Sequence, residues 1–254
     1  MTETTESNTI TTTEPISRDN KTRLSFWFPR IKAHGLPVPK TEIIRTKLFL
    51  AGLLEEKPAH EFSDGFLEFM DEIRGAGDRL GWPCFLRTDY TSAKHYWKKT
   101  CFVEDRYAIA SHVAEIVEFS ELADIMGLPT DVWVVRELLK TDPAFHAFSG
   151  DMPITQEFRF FVEGGRVSHI QPYWPANAIE QGRPAATDWR GRLREINRLE
   201  DHDRRILSEM SLQAFRALGE GDWSIDWLLT TDRDWVLTDM AEASRSFRYE
   251  PEES

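Results

Sequence analysis

The Gly164-Gly165 pair lies between two runs, Glu157-Phe158-Arg159-Phe160-Phe161-Val162-Glu163 and Arg166-Val167-Ser168-His169-Ile170. Adjacent glycines supply the positive φ that a two-residue hairpin turn needs, so these runs are predicted to pair antiparallel. A second hairpin is predicted where Trp223-Ser224-Ile225-Asp226-Trp227-Leu228-Leu229 meets a Thr-Thr-Asp-Arg-Asp turn and then Trp235-Val236-Leu237-Thr238-Asp239-Met240. Between the hairpins, from Tyr173 to about Gly219, the chain is charged and helical, with Leu193, Ile196, Leu199, Ile206, Met210 and Leu212 as its apolar residues. This order predicts an α+β fold with a mostly antiparallel sheet and helices packed on one side.

Upstream, the chain should become ordered at Leu24-Ser25-Phe26-Trp27-Phe28 and run extended through the proline-rich residues 34–40, because proline removes a backbone donor and restricts its predecessor. Phe62, Phe66, Phe69, Met70 and Ile73 recur at helical spacing and predict a helix over 61–74, ended near Gly75 and Gly77. A strand is predicted over 82–89, a helix over about 111–126, and a buried strand over 132–139. Residues 1 to about 22 are rich in Thr and Glu, with few groups able to join a core, and are expected to form a disordered tail.

The 254 residues carry 31 Lys and Arg against 43 Asp and Glu, a net charge of −12. That balance argues against general binding to nucleic acid or an anionic membrane, while leaving room for a local basic pocket. Cys84 and Cys101 have neither CxxC spacing nor a nearby His pair, which argues against a zinc site and a disulfide scaffold. No uninterrupted apolar run reaches the ~18 residues of a spanning helix, and a cytoplasmic location is expected.

Three stretches carry candidate chemistry. In the second hairpin, a two-residue loop of Asp232 and Arg233 would set Asp226 directly opposite Asp239 on one face, with Ile225, Trp227 and Leu229 against Val236, Thr238 and Met240 on the other. Like charges directly opposite are destabilising, so the pair calls for a cation, and oxygen ligands suit Mg²⁺. A register one residue off, or a solvated sheet face, is the alternative. In the first hairpin, Glu157 and Arg159 are two apart and share a face, which is also the pattern of an exposed ionic ladder. Third, a strand ending in Arg87 is followed by a polar loop with Thr91 and Ser92, then Lys94 and His95. Such groups suit a phosphate chain or simply a surface loop, and no P-loop pattern is present.

In combination these stretches resemble the ATP-grasp fold, and within it the divergent branch that holds a eukaryotic cell-division-cycle protein chaperoning assembly of translation initiation factor 2. Arg87 through Lys94 match the basic strand end, Ser-bearing loop and second basic residue, with Arg in place of the usual first Lys. Val134-Val135-Arg136-Glu137-Leu138 matches the strand that ends beside adenine, and Glu157-Phe158-Arg159-Phe160-Phe161-Val162 matches a Glu-Phe-Arg strand. Asp226 and Asp239 match the two acidic positions, but Ala241 stands where Asn is expected, and Glu242 should point to the other face.

The resemblance implies two α+β lobes enclosing ATP and Mg²⁺. Arg87, Ser92, Lys94 and Arg136 would meet phosphates, Glu137 and Leu138 would border the adenosine, and Arg159 would reach the γ-phosphate side. Lys94 and Arg159 would act in catalysis, and Asp226 and Asp239 would hold the metal. The implied organisation is an N-terminal α/β region over 23–83, a small lobe over 84–134, and a C-terminal lobe over 135–254 with a helical insertion at about 175–219. The implied activity is ATP-dependent ligation of a carboxylate to an amine through an acylphosphate. A nucleotide-binding assembly factor for a protein partner and a kinase-like phosphoryl transfer are the other readings. Tyr173, Trp174 and the helical segment after them are the expected acceptor region.

Overall fold

The computed structural model describes residues 21–54, 63–123 and 127–250. The expected tail over 1–22 lies outside them except for Lys21 and Thr22, as does Phe62 of the expected helix over 61–74.

Leu24, Trp27, Phe28 and Ile31 bury one face of helix α1 (Leu24–Ala33), whose interior contains Pro29. The proline-rich connector then leads into strand β1 (Thr41–Arg45), which the sequence pattern did not indicate. Helix α2 (Asp64–Leu80) starts at a Ser63 cap, whose hydroxyl accepts from the Phe66 amide. It runs past Gly75 and Gly77 rather than stopping there. The reason is packing: a Cβ on Gly77 would lie 2.3 Å from the Trp82 ring, so glycine here makes room for an indole, and the helix ends at Gly81 with φ of 96°.

Strands β2 (Cys84–Thr88), β3 (Phe102–Val103) and β4 (Val132–Glu137) join β1 in a sheet of order β1-β4-β2-β3, all pairs antiparallel. Alternation sorts their side chains. Cys84, Leu86, Trp133 and Val135 enter a core shared with α2 and helix α3 (Ile109–Ala123), while Phe85, Arg87, Val134 and Arg136 face the other way. Because β1 pairs with β4, residues 23–83 contribute a strand to the small lobe, and the boundary expected between 134 and 135 falls inside β4.

A short β-ribbon, β5 (Phe145–Ala147) with β6 (Met152–Ile154), flanks the one-turn helix α4 (Phe148–Asp151). Strands β7 (Glu157–Glu163) and β8 (Arg166–Pro172) form the first hairpin on Gly164 and Gly165, at φ of 56° and 76°. Helices α5 (Ala176–Gln181), α6 (Trp189–Ile196) and α7 (Asp201–Leu218) occupy the charged stretch. Strands β9 (Trp223–Leu229) and β10 (Trp235–Glu242) complete a second antiparallel sheet of order β10-β9-β7-β8. Helices α1 and α7 cover one face of it around Phe158, Phe160, Trp227 and Leu237.

The second hairpin reaches its expected pairing by an unexpected route. The turn holds three residues, Thr231 to Arg233, closed by the Thr230 amide on the Asp234 carbonyl, with Arg233 at φ of 67°. Leu229 therefore faces Trp235, and Trp227 faces Leu237, one position away from the expected register. A bulge at Thr238 then restores it, so Asp226 does face Asp239. The expected apolar face changes accordingly: Trp235 and Leu237, not Val236 and Thr238, join Ile225, Trp227, Leu229 and Met240 in the core.

Candidate functional site

The free faces of the two sheets bound a cavity of about 820 Å³. From the small lobe come Arg87 on β2, Ser92 and Lys94 after it, and Arg136 and Glu137 at the end of β4. From the large lobe come Glu157 on β7, Asp226 on β9 and Asp239 on β10, with Tyr173 and Trp174 after β8. Leu138 also lines it, and Arg159 reaches the same cluster through Asp226. The structure thus gathers the residues of all three candidate stretches around one cleft. His95 is an exception: its ring stacks on Phe148, with centroids 4.1 Å apart.

The cations and carboxylates interlock. Arg159 donates from Nε and Nη2 to Asp226 Oδ1 and Oδ2 at 2.7 and 2.8 Å, a fork-on-fork geometry. Arg87 donates from Nη1 to Asp239 Oδ2 at 3.0 Å. The repulsion expected between the facing carboxylates is therefore answered by two guanidiniums, one on each. Burial opposes the charge on Arg159, but Asp226 more than offsets it and holds its pKa above the ordinary value. Burial pushes the Asp239 carboxyl up, and Arg87 and Arg136 outweigh that to leave it below its ordinary range.

Lys94 is a buried residue that lines the cavity, and so does not fit the alternative of an exposed surface loop. Its backbone enters a short turn after Ala93, at φ of 48°, and its ammonium points inward to Glu157 Oε2 at 3.4 Å and over the Tyr173 ring at 3.6 Å. Burial would lower the Lys94 pKa, yet Glu157, Tyr173 and Asp226 together raise it, so the side chain is a fixed cation. Burial pushes the Glu157 carboxyl up, against the pull of Lys94. Tyr173, part of the expected acceptor region, lines the cavity and roofs Lys94 and Arg159, whose guanidinium carbon lies 4.8 Å from its ring centroid.

Arg136 is the group without an internal answer. Only 4% exposed, it donates from Nη1 to the Thr238 carbonyl at 2.6 Å, while Nε and Nη2 have no hydrogen-bond partner among the described residues. Burial and the neighbouring Arg87 pull its pKa down to about 9. A buried guanidinium with idle donors beside a cavity calls for an anion. Glu137, by contrast, already accepts from the Lys40 amide at 2.7 Å.

Asp226 and Asp239 are hard oxygen donors of the kind that suits Mg²⁺, but Arg159 takes both Asp226 oxygens and Arg87 takes one of Asp239, so a metal would have to displace or share those contacts. Among the described residues no three His, Cys, Asp or Glu side chains gather as a self-sufficient metal site. Ala241 offers no donor, and Glu242 turns away to Arg245 at 3.3 Å. The sequence reading did not bring Trp27 and Phe28 to the site, yet their rings lie 5.9 and 5.8 Å from the Arg136 guanidinium carbon, on a helix that contains Pro29.

A family model, the ATP-grasp domain of the R-2-K clade, family 3, matches residues 79–208, just over half of the chain. The chain belongs to this ATP-grasp family. The matched stretch carries Arg87, Lys94, Arg136 and Arg159, and ends before Asp226 and Asp239. No curated protein matches in sequence. Among solved structures the chain is similar to Cdc123 from Schizosaccharomyces pombe, at 15% identity and a TM-score of 0.54 over 91% of this chain and 87% of that one. A C-terminally truncated Cdc123 from the same organism gives 16% identity and 0.53, over 87% and 83%. The RimK domain protein from Sphaerobacter thermophilus DSM 20745 gives 13% and 0.49; the chain covers 59% of it, with 87% of its own length. The α+β architecture of two antiparallel sheets facing a cleft is thus that of an ATP-grasp fold. Among the described residues no helix is long and apolar enough to cross a membrane.

Proposed function

We propose that this ATP-grasp chain binds Mg-ATP in the cleft and uses it to join a carboxylate to an amine. The observation that carries the reading is Arg136, buried with two idle donors, beside Arg87 and in the same cavity lining as Lys94, in a protein of net charge −12. Arg87, Lys94 and Arg159 are each paired with a carboxylate, so Arg136 is the cation that gives the cleft its claim on a polyphosphate. Arg136, Arg87, Ser92 and Lys94 would take phosphate oxygens, and Glu137 and Leu138 would border the adenosine. The metal, held by Asp226 and Asp239, would neutralise charge on the phosphates.

In the ligase reaction a substrate carboxylate oxygen attacks the γ-phosphorus, the new O–P bond forms, and ADP departs with the electrons of the broken bond. An amine then attacks the acyl carbon, phosphate leaves, and the amine proton passes to solvent. Lys94 and Arg159, cations roofed by Tyr173, would stabilise the charge on the transferred group. The protein's part is positioning, and the reaction draws on no nucleophile of its own.

Ala241 supports a second reading, a nucleotide-binding assembly factor for a protein partner, because it removes a donor from the metal end of the cleft. Calorimetric titration with Mg²⁺ and a non-hydrolysable ATP analogue tests the shared premise; absence of binding refutes both readings. Release of ADP and phosphate when carboxylates and amines are supplied supports the ligase. Tight binding without turnover supports the assembly factor.

A further inference from the structure

We infer that residues 23–28, which lie outside the matched ATP-grasp stretch, position the phosphate-binding side of the cleft: Arg23 through Asp89, and Trp27 and Phe28 through Arg136. The inference rests on the nucleotide reading above.

Asp89 follows directly on β2 and opens the loop that carries Ser92 and Lys94. Its carboxylate is fully buried and held at both oxygens by Arg23, from Nε at 2.9 Å and from Nη2 at 3.0 Å, with the Ser25 hydroxyl as a third donor. The Leu24 amide also donates to the Asp89 carbonyl at 2.8 Å. Arg23 Nη2 reaches on to Asp131 at 2.6 Å, next to the start of β4. One guanidinium thus ties the end of β2 to the beginning of β4, the two strands that carry Arg87 and Arg136.

The loop after Asp89 is itself a rigid object. The Thr88 hydroxyl accepts from the Tyr90 and Thr91 amides at 3.3 and 3.0 Å, and the Thr100 hydroxyl donates to the Ala93 carbonyl at 2.9 Å. A loop stiffened in this way transmits the placement of its root to Lys94. One helical turn beyond Arg23, the Trp27 and Phe28 rings lie 5.9 and 5.8 Å from the Arg136 guanidinium carbon, a distance at which ring faces still attract a cation. These rings pack against the guanidinium of Arg136, a residue that lines the cavity, and help to fix its position. None of the residues 23–28 lines the cavity, so they act through others and are positioning residues.

The test separates phosphate from nucleoside binding. Kd values for ATP with Mg²⁺ and for adenosine are measured on the full chain, wild type against Arg23→Gln, Arg23→Lys, Ser25→Ala and Phe28→Leu, with melting curves in the absence of ligand. Arg23→Gln is expected to raise the Kd for ATP at least tenfold and leave that for adenosine within twofold; Arg23→Lys recovers part of the loss. Ser25→Ala and Phe28→Leu, milder changes that keep the fold, are expected to shift the Kd for ATP about threefold in the same selective way. Equal changes for ATP and adenosine, or unchanged Kd values in the folded variants, overturn the inference. A wild-type protein that binds no ATP at all overturns the nucleotide reading instead.

Discussion

Replacing Asp226 by asparagine keeps the shape of the side chain and removes its charge. The fork from Arg159 then has a neutral partner, and a guanidinium whose side chain is 16% exposed loses its counter-charge. Breaking a buried pair by neutralising one member costs about 3–5 kcal/mol. For a chain of this size 1 kcal/mol corresponds to roughly 2–4 °C in Tm, so Asp226→Asn should melt roughly 6–12 °C lower at the lower end of that cost. The sign is what matters. If Asp226 and Asp239 were simply two facing carboxylates, removing one would relieve repulsion and raise the Tm of the metal-free protein. Scanning calorimetry at pH 7 without Mg²⁺ or nucleotide decides between the two. A double variant, Arg159→Gln with Asp226→Asn, completes a cycle in which the pair should show a coupling of at least ~1 kcal/mol. A Tm for Asp226→Asn equal to or above wild type refutes the ion-pair account.

Arg136→Met should raise the Tm of the ligand-free protein, because it removes a buried, partly unsatisfied cation, and should weaken Mg-ATP binding at least tenfold in the same preparation; a drop in Tm contradicts this. Lys94→Met strands the buried Glu157 carboxylate and is expected to lower both Tm and ATP affinity, whereas Lys98→Met, at a 64% exposed side chain, should leave affinity within twofold by titration calorimetry. Burial pushes the thiols of Cys84 and Cys101 up to about 12, so neither should react with a thiol reagent at pH 8 until the protein unfolds. An unfolded thiol ionises at an ordinary value near 9, so the stability the two confer is complete below that pH and falls as pH rises toward about 12, which denaturant titrations at pH 8 and 10 against Cys→Ser variants would register. Gly77→Ala pushes a methyl into the Trp82 ring and should cost about 1–3 kcal/mol by urea unfolding, despite alanine's better helix propensity.

Turn chemistry and alternation made the large-lobe sheet readable in advance. Gly164 and Gly165 specified one hairpin outright, and the alternation of Trp223, Ile225, Trp227 and Leu229 put Asp226 on the opposite face. The other strand was harder, because nothing local distinguishes a two-residue turn from a three-residue turn followed by a bulge. Strand β1 escaped notice since a five-residue edge strand carries too few periods to register. Helix α1 shows Leu24, Trp27, Phe28 and Ile31 at helical spacing, yet Pro29 reads as a breaker; burial of that apolar face against α7 and the second sheet overrides the local penalty. For the site, the residue types were visible but the pairings were not. That Lys94 meets Glu157, and that Arg87 crosses to Asp239, depends on contacts between segments 63 and 152 residues apart.

The bulge at Thr238 ties the geometry of one hairpin to the cohesion of the whole molecule. A residue that steps out of its ladder leaves a backbone carbonyl with nothing to do inside its own sheet. Here that carbonyl accepts from Arg136, a side chain of the opposite lobe. A chain one residue shorter, with the same three-residue turn and a straight β10 lacking Thr238, would keep Asp226 across from Asp239 and lose this handle between the lobes. The spare residue therefore acts as a hinge pin, and deleting it alone would be a way to loosen the cleft without touching a single charged group.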